Sequence, residues 1–198
     1  MPEPLSLDPR TTALVSIDMQ NSVANHAAAP HPASDVVDRV AQLAESLRAA
    51  HGFVVFVRTS FLPDESDAVR PAIDAPRHIP EREAGWDRIV ARLERRPNEP
   101  VVTKRSFNAF HASDLDHQLR RHGIRTVILA GISTNFGVEG TGRAAYDLGY
   151  DIVFAEDAMS ASTAELHRAS LTGALPYLGR IRPTAQIIAA LEANRAAA

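Results

Sequence analysis

The sequence contains no cysteine, so disulfide bonds, thiolate metal sites and a cysteine nucleophile are all excluded. The opening residues, MPEPLSLDPR, lack the positive start and the apolar core of a signal peptide. No apolar run approaches the roughly 18 residues that would cross a membrane. The lack of cysteine alone does not exclude secretion. Taken together, these features predict a soluble, cytoplasmic protein with no membrane partner.

An excess of basic charge is also missing. The formal net charge is −3, whereas nucleic-acid binding requires a basic excess on one face. The eight histidines are dispersed and none forms an HxH or HExxH pair, so no metal is predicted. The glycines of GISTNFG do not follow GxGxxG or P-loop spacing, which argues against a nucleotide. We therefore expect neither a cofactor nor a nucleic-acid partner.

The chain does contain a regular alternation of strand and helix patterns. Its 198 residues, 45% of them apolar, suit one compact domain spanning 1–198. Short β-branched runs predict strands at 13–19, 53–61, 101–103, 126–131, 151–155 and 180–182. Helical patterns predict helices at 34–50, 86–95, 112–122, 163–175 and 184–194, with another after Thr134. This order indicates a three-layer α/β fold with a mostly parallel, six-stranded, Rossmann-like sheet.

Three predicted strands end in residues that could carry chemistry. Asp18 closes the first strand, Lys104 follows the third, and the turn from Ser133 to Gly137 follows the fourth. If these strands are neighbours, a carboxylate, an ammonium and a group of backbone amides meet in one crevice, where open α/β sheets bind ligands. Asp18 could then transfer a proton, although sequence alone does not settle its resting charge.

Each of these residues also has an ordinary structural explanation. An aspartate at a strand end is commonly a turn or cap residue, and most lysines lie on the surface. Glycines between strand and helix mostly relieve backbone strain. Ser133 and Thr134 have no neighbouring histidine to act as a base, and the GxSxG elbow is absent. Only the combination on one edge of the sheet favours a functional site.

Three segments carry a resemblance to a known family. IDMQN at 17–21, TKRSFNAF at 103–110 and AGISTNFGVEGTGRAAYDLGY at 130–150 resemble the signature blocks of the isochorismatase-like hydrolases, also called the cysteine hydrolase superfamily. By that resemblance, Asp18 is the catalytic acid or base and Lys104 is its partner. Gly137 stands where amidohydrolase members carry their nucleophilic cysteine, and a glycine has no atom that can attack a carbonyl.

The resemblance also implies a reaction that needs no nucleophile. Isochorismatases lack that cysteine and cleave a vinyl ether by protonating its carbon from the aspartate and adding water. A non-proline cis peptide between Ile132 and Ser133, a small-molecule substrate and a dimer or tetramer are implied as well. The zinc-binding DxH pattern is replaced by RTSFLPDES after the second strand, so no metal is carried over. The expected substrate-binding residues are Ser133, Thr134, Gln20, Arg58, Phe107 and Phe136.

Three hypotheses stay open at this point. The first is a cofactor-free hydrolase that uses Asp18 as proton donor; the second is a catalytically silent member that binds a small molecule or acts through assembly. The third is an amidase that uses water or Ser133 in place of the thiol. Two or more arginines facing Asp18 would indicate a dicarboxylate such as isochorismate, with Arg58, Arg88 and Arg105 as candidates, whereas an apolar wall would indicate a neutral substrate. The Pro-rich stretch at 63–83 is predicted to be a lid or binding loop.

Overall fold

The computed structural model describes residues 5–24, 27–75 and 82–195. Six parallel strands in this part of the chain form one sheet with the order β3-β2-β1-β4-β5-β6. The predicted α/β fold with a six-stranded sheet is therefore confirmed. The strands are β1 (Thr12–Ile17), β2 (Phe53–Thr59), β3 (Val101–Lys104), β4 (Thr126–Ile132), β5 (Asp151–Ser160) and β6 (Arg180–Arg182).

Helices cover both faces of the sheet. The helices are α1 (Asn21–Ala24), α2 (Ala33–Ala49), α3 (Leu115–Arg121), α4 (Glu139–Asp147), α5 (Ala164–Thr172), α6 (Leu175–Leu178) and α7 (Thr184–Arg195). Apolar residues of α2 and α7 belong to one core cluster, and those of α3, α4 and α6 belong to another. Alternate residues of β1 contribute to the two clusters, Leu14 to the first and Val15 to the second. A strand buried on both faces is apolar nearly throughout, which explains the sequence of β1.

The observed strand order differs from the order considered for the site, in which the first, third and fourth strands are neighbours. β3 does not lie beside β1, because β2 pairs with both of them. Adjacent strands are about 4.8 Å apart, so the ends of β1 and β3 are separated by about 10 Å. A lysine side chain is long enough to reach across the intervening strand. Lys104 therefore approaches Asp18 over the end of β2, next to Thr59.

The prediction of a helix at 86–95 is wrong. This part of the chain contains only a single 3₁₀ turn, Ala91–Leu93, and its preceding residues bond to the segment after β1. The amide of Val90 donates to the Met19 carbonyl at 3.0 Å, and the Arg88 carbonyl accepts from the amide of Asn21 at 2.9 Å. Because these backbone groups have partners outside the segment, no helical ladder forms. This segment instead lies alongside the residues that follow Asp18.

Several predicted boundaries also change. β5 continues to Ser160 rather than 155, because its pairing with β4 shifts register between Leu129 and Gly131 and then resumes. The helix predicted at 163–175 is divided into α5 and α6, with Gly173 closing α5. α3 begins at Leu115, whose amide donates to the Ser113 hydroxyl at 3.2 Å. Residues 76–81 of the predicted Pro-rich loop lie outside the described residues, as do residues 25 and 26, which belong to a stretch at 25–32 rich in Ala, Pro and His that is predicted to be an excursion over the site or the surface.

The helices in the described part of the chain are short or carry polar residues along their length. None of them is long and apolar enough to cross a membrane.

Candidate active site

Asp18 lies at the carboxyl end of β1 in a conformation that aims its side chain toward the neighbouring strands. Its φ of 53° falls in the left-handed region, which is uncommon for a residue other than glycine. The backbone is held in place because the Asp18 amide donates to Val57 at 2.9 Å and its carbonyl accepts from Gln20 at 2.8 Å. Backbone strain of this kind is often found at functional sites.

Lys104 contacts Asp18 directly. Its Nζ lies 2.8 Å from Asp18 Oδ2, and the lysine is almost completely buried. The same ammonium donates to Thr59 Oγ1 at 2.8 Å and to the Ser106 carbonyl at 3.0 Å. Thr59 in turn donates its hydroxyl proton to Asp18 Oδ1 at 3.1 Å. All three ammonium protons therefore have acceptors, and both carboxyl oxygens have donors.

Burial and charge act in opposite directions on Asp18. Burial raises the pKa of the Asp18 carboxyl above its ordinary value, while the Lys104 ammonium and the Thr59 hydroxyl hold the pKa down. The first effect is the larger one, so the net shift is upward. The carboxyl group is thus more readily protonated than an exposed aspartate, which suits a group that donates a proton.

Gly137 lies on the opposite side of Asp18 from Lys104's strand. A Cβ atom built on Gly137 would be 3.3 Å from Asp18 Oδ2 and 2.9 Å from Cγ2 of Ile17. The second distance is too short for a carbon–carbon contact, so a side chain at 137 requires a neighbour to move. The site therefore combines a carboxyl group and an ammonium with a backbone position that carries no side chain.

The connection from β4 to α4 brings Gly137 to this place. The Ile132–Ser133 peptide is cis, as the resemblance implied, and a π-helical turn follows at Thr134–Val138. Within this turn, the Ser133 carbonyl accepts from the amides of Phe136 and Val138, each at 3.2 Å. Gly131 makes the approach possible, because a Cβ atom there would lie only 2.0 Å from the Ile17 carbonyl oxygen. A glycine is required where β4 and β1 come this close.

Other polar residues predicted at the site have partners within the protein. Gln20 bonds both backbone groups of Thr59, accepting from its amide at 2.8 Å and donating to its carbonyl at 3.1 Å. Ser133 donates its hydroxyl proton to Asn135 Oδ1 at 2.8 Å. Thr134 is fully buried, and its hydroxyl lies 2.8 Å from Nδ1 of His167. These contacts shape the site, and the substrate-binding roles predicted for these residues stay predictions.

Two of the three candidate arginines, Arg58 and Arg105, pair with carboxylates other than Asp18. Nη1 of Arg58 is 3.0 Å from Asp87 Oδ2, and its Nε donates to Thr103 Oγ1 at 3.2 Å. Arg105 is paired with Asp67. The Lys104 ammonium is the cation that lowers the pKa of Asp18 most, and neither arginine is among the main groups that shift it. The described contacts therefore supply one cation, and not a cluster of cations, to the Asp18 carboxyl.

Two aromatic rings stand near Gly137. Phe107 and Phe136 stack with their centroids 4.9 Å apart, yet they are 62% and 48% exposed. The Phe107 carbonyl oxygen is 4.0 Å from the Cβ position of Gly137, and its Cβ is 3.5 Å from the Cβ position of Gly140. The two rings therefore form an exposed apolar surface close to the backbone of Gly137 and Gly140.

Residues 61–63, 65 and 82–87 line a hollow of about 420 Å³. Phe61 and Trp86 stack across it with centroids 6.3 Å apart. The guanidinium carbon of Arg82 lies 4.0 Å from the Trp86 ring centroid, and its Nε is 2.8 Å from Glu65 Oε1. The described residues that line this hollow do not include Asp18. Trp86 therefore lines this hollow, and the Arg82 guanidinium packs over its ring.

Sequence reasoning missed two contributors to the site. Thr59 bridges Asp18 and Lys104, and the same strand-end logic could have identified it because it closes β2. His167 lies on α5 and contacts Thr134 from behind the turn. No local sequence signal marks it, since its partner is 33 residues away.

Comparisons with known proteins agree with this fold. A profile of the isochorismatase domain matches residues 12–186. The isochorismatase family protein YecD of Escherichia coli is 41% identical over 94% of this chain and 100% of its own length. Ureidoacrylate amidohydrolase RutB of Methylorubrum extorquens is 31% identical over 98% of this chain and 88% of its own. A solved isochorismatase family protein from Burkholderia thailandensis has a TM-score of 0.90 with 40% identity, covering 94% of this chain and 98% of that one.

The fold and the family match define a hydrolase of the isochorismatase type, with helices on both faces of a parallel sheet. The chain belongs to the isochorismatase family. The family match and the relative named ureidoacrylate amidohydrolase indicate that this chain, too, is a hydrolase.

Proposed function

We propose that the chain is a cofactor-free hydrolase in which Asp18 protonates a small-molecule substrate such as a vinyl ether. The observation that supports this proposal is the buried Asp18–Lys104 contact of 2.8 Å with Gly137 beside it. The carboxyl group has a raised pKa, and the site has no thiol. An acid and a water molecule are sufficient for vinyl ether hydrolysis.

The steps follow from these groups. Asp18 transfers its proton to the β-carbon of the vinyl ether, and an oxocarbenium ion forms as the carbon–carbon π bond is consumed. The adjacent Lys104 ammonium stabilises the resulting carboxylate. Water then adds to the cation, and the hemiketal that forms collapses to a ketone and an alcohol while a proton returns to Asp18. Backbone amides near Gly137 are the proposed donors to a substrate oxygen.

The surroundings of Asp18 favour a substrate with few charges. A dicarboxylate such as isochorismate needs cations to balance it, but Arg58 and Arg105 are paired with Asp87 and Asp67. The stacked rings of Phe107 and Phe136 instead offer apolar surface. We infer a neutral or singly charged ether with an apolar or planar group that packs on these rings.

The test is turnover of a panel of enol ethers in deuterated water, followed by proton NMR. Protonation by the enzyme places one deuterium on the carbon next to the new carbonyl. Asp18→Asn keeps the shape of the side chain but removes the acid, and we expect kcat to fall at least about 100-fold. The matched control is Asp8→Asn, whose carboxylate pairs with exposed Arg10. Equal activity of Asp18→Asn and the unchanged protein would contradict the proposal.

A second candidate reaction is amide hydrolysis by water. It is favoured by the relative named ureidoacrylate amidohydrolase, which matches 98% of this chain. In this case an ionised Asp18 takes a proton from the water that attacks the amide carbonyl, and Gly137 leaves space for that water. Ser133 is a weaker candidate for the nucleophile, because its hydroxyl proton is donated to the amide oxygen of Asn135, which cannot act as a general base. Release of ammonia or a carbamoyl product from N-carbamoyl substrates would distinguish this reaction from ether cleavage.

A catalytically silent member is the third outcome. Thermal-shift ligands that bind without any turnover, in assays covering both ethers and amides, would support it. Turnover that depends on Lys104 would count against it.

A further inference from the structure

A buried histidine supports the turn that carries Gly137. His167 lies on α5 and is only 4% exposed. Its Nδ1 is 2.8 Å from the hydroxyl oxygen of Thr134, the first residue of the π-helical turn. Thr134 is fully buried, so water cannot replace this partner. His167 thus contacts the turn on the side that faces β5 and α5, while Gly137 faces Asp18 on the other side.

A second histidine lies against the first. The rings of His31 and His167 meet edge to face, with centroids 6.0 Å apart and an interplanar angle of 87°. His31 is fixed by its backbone, because its carbonyl accepts from the Ser160 hydroxyl at 2.8 Å and its amide donates to the same oxygen at 3.3 Å. The adjacent Ala29 and Ala161 exchange hydrogen bonds of 2.9 and 3.0 Å. Ala29 and His31 are therefore hydrogen-bonded to the end of β5 and to the residue after it, which places His31 next to His167.

We propose that His167, backed by His31, is a positioning residue: its neutral ring accepts the Thr134 hydroxyl proton at Nδ1 and so keeps Gly137 opposite Asp18. A protonated ring carries hydrogens on both nitrogens and can only donate. The Thr134 hydroxyl would then lose its acceptor inside the protein, which destabilises the turn. The proposed reaction should therefore depend on a neutral His167 in addition to a protonated Asp18.

The surroundings keep His167 neutral. Burial lowers the pKa of the His167 ring, and the neighbouring His31 lowers the same pKa further. Burial also lowers the pKa of His31, and so does Arg39, whereas three carboxylates oppose this effect. On α5 itself, Glu165 and Arg168 flank His167 on the exposed face. The three carboxylates that face His31 are those of Asp157, Asp35 and Glu156.

The first experiment is kinetic and rests on the proposed function. His167→Asn supplies an amide oxygen near the position of Nδ1 but does not titrate, whereas His167→Ala removes the acceptor. We expect His167→Ala to lower kcat about 10-fold or more with less change in KM, because a misplaced turn weakens catalysis more than binding. His167→Asn should restore kcat. It should also remove the decline in activity at low pH, because that decline follows from protonation of His167. His117→Asn, on the exposed face of α3, is the matched control.

The second experiment needs no turnover, so it decides the proposal even if the proposed reaction is wrong. In an Asp18→Asn background, the Gly137 amide is followed by NMR as pH falls, together with the His167 ring signal. We expect both to shift at one midpoint below about 6.5, the ordinary value for histidine. The Gly137 shift should vanish in His167→Asn, and the midpoint should rise in His31→Phe, which keeps the ring but removes the like charge.

Two results would overturn the proposal. One is a Gly137 amide that titrates identically with and without His167. The other is a His167→Ala protein that is folded, as judged by its amide spectrum, and retains the kcat and pH profile of the unchanged chain.

Discussion

At the scale of single residues, the site depends on the lack of a side chain at position 137 as much as on Asp18. A Cβ atom on Gly137 would lie 2.9 Å from Ile17 and 3.3 Å from the Asp18 carboxyl. The backbone there can approach Asp18 because nothing projects from it. Ile17 is fully buried, so it has little room to move away. The packing around this position therefore favours glycine.

We predict that Gly137→Ala destabilises the protein by about 1–3 kcal/mol, since overpacking forces the buried Ile17 to shift. The measurement is the free energy of unfolding in urea. Gly140→Ala, in α4, is the matched control, because its Cβ would make only ordinary contacts of 3.5 Å or more, with Phe107 and Asn108. An alanine in a helix is favoured over glycine by about 0.5–1 kcal/mol, so this variant should be unchanged or more stable. Equal destabilisation of the two variants would contradict the packing account.

At the scale of secondary-structure elements, a buried ion pair ties α2 to the chain that leads into β3. Arg48 and Glu99 have side chains only 6% and 7% exposed, and they form two hydrogen bonds of 2.6 and 2.9 Å. Glu99 also accepts from the Arg96 amide at 2.7 Å, and Arg48 donates to the Leu93 carbonyl at 3.2 Å. This network holds the segment before β3, and so helps to place Lys104.

We predict that Glu99→Gln costs about 3 kcal/mol, because it leaves the Arg48 charge buried without a countercharge. Glu45→Gln is the control: Glu45 also pairs with Arg48, but it is 65% exposed and should contribute less than about 1 kcal/mol. Both values come from denaturant unfolding curves. A Glu99→Gln protein as stable as the Glu45→Gln protein would show that the network is not needed.

Strand positions were well predicted from sequence at this scale, but helix boundaries were not. Buried parallel strands are short apolar runs, and each of the six predicted runs corresponds to an observed strand. The 86–95 segment has apolar residues at helical spacing, namely Ile89, Val90 and Leu93, yet its backbone bonds to residues beside Asp18. Spacing along the chain carries no information about such distant partners.

At the scale of the whole molecule, the sheet order determines which strand ends meet. Asp18 and Gly137 were correctly expected to lie together, because β1 and β4 are paired. Lys104 joins them from β3 across β2, an arrangement that adjacency alone did not predict. Thr59 fills the gap, and His167 supports the turn from the far side. Assembly into a dimer or tetramer stays a prediction.

We predict that global stability falls as pH drops below about 6.5. Burial lowers the pKa of His31 and His167 in the folded state, so the unfolded chain binds protons that the folded chain does not. The stability that these histidines provide is therefore complete above 6.5 and is lost as pH falls toward their depressed values. Urea unfolding at several pH values measures it. The His31→Phe/His167→Asn double variant should lose less stability over this range, and an unchanged pH slope would contradict the prediction.

The central claim is that Asp18 is an acid whose proton affinity is set by burial against the opposing charge of Lys104. The most direct test is titration of the Asp18 side-chain carbon by ¹³C NMR, assigned with Asp18→Asn. We predict a pKa above the ordinary 3.8, because burial outweighs the ammonium, and a further rise in Lys104→Met, which removes that opposing charge. A pKa at or below 3.8, or one that Lys104→Met leaves unchanged, would contradict the claim.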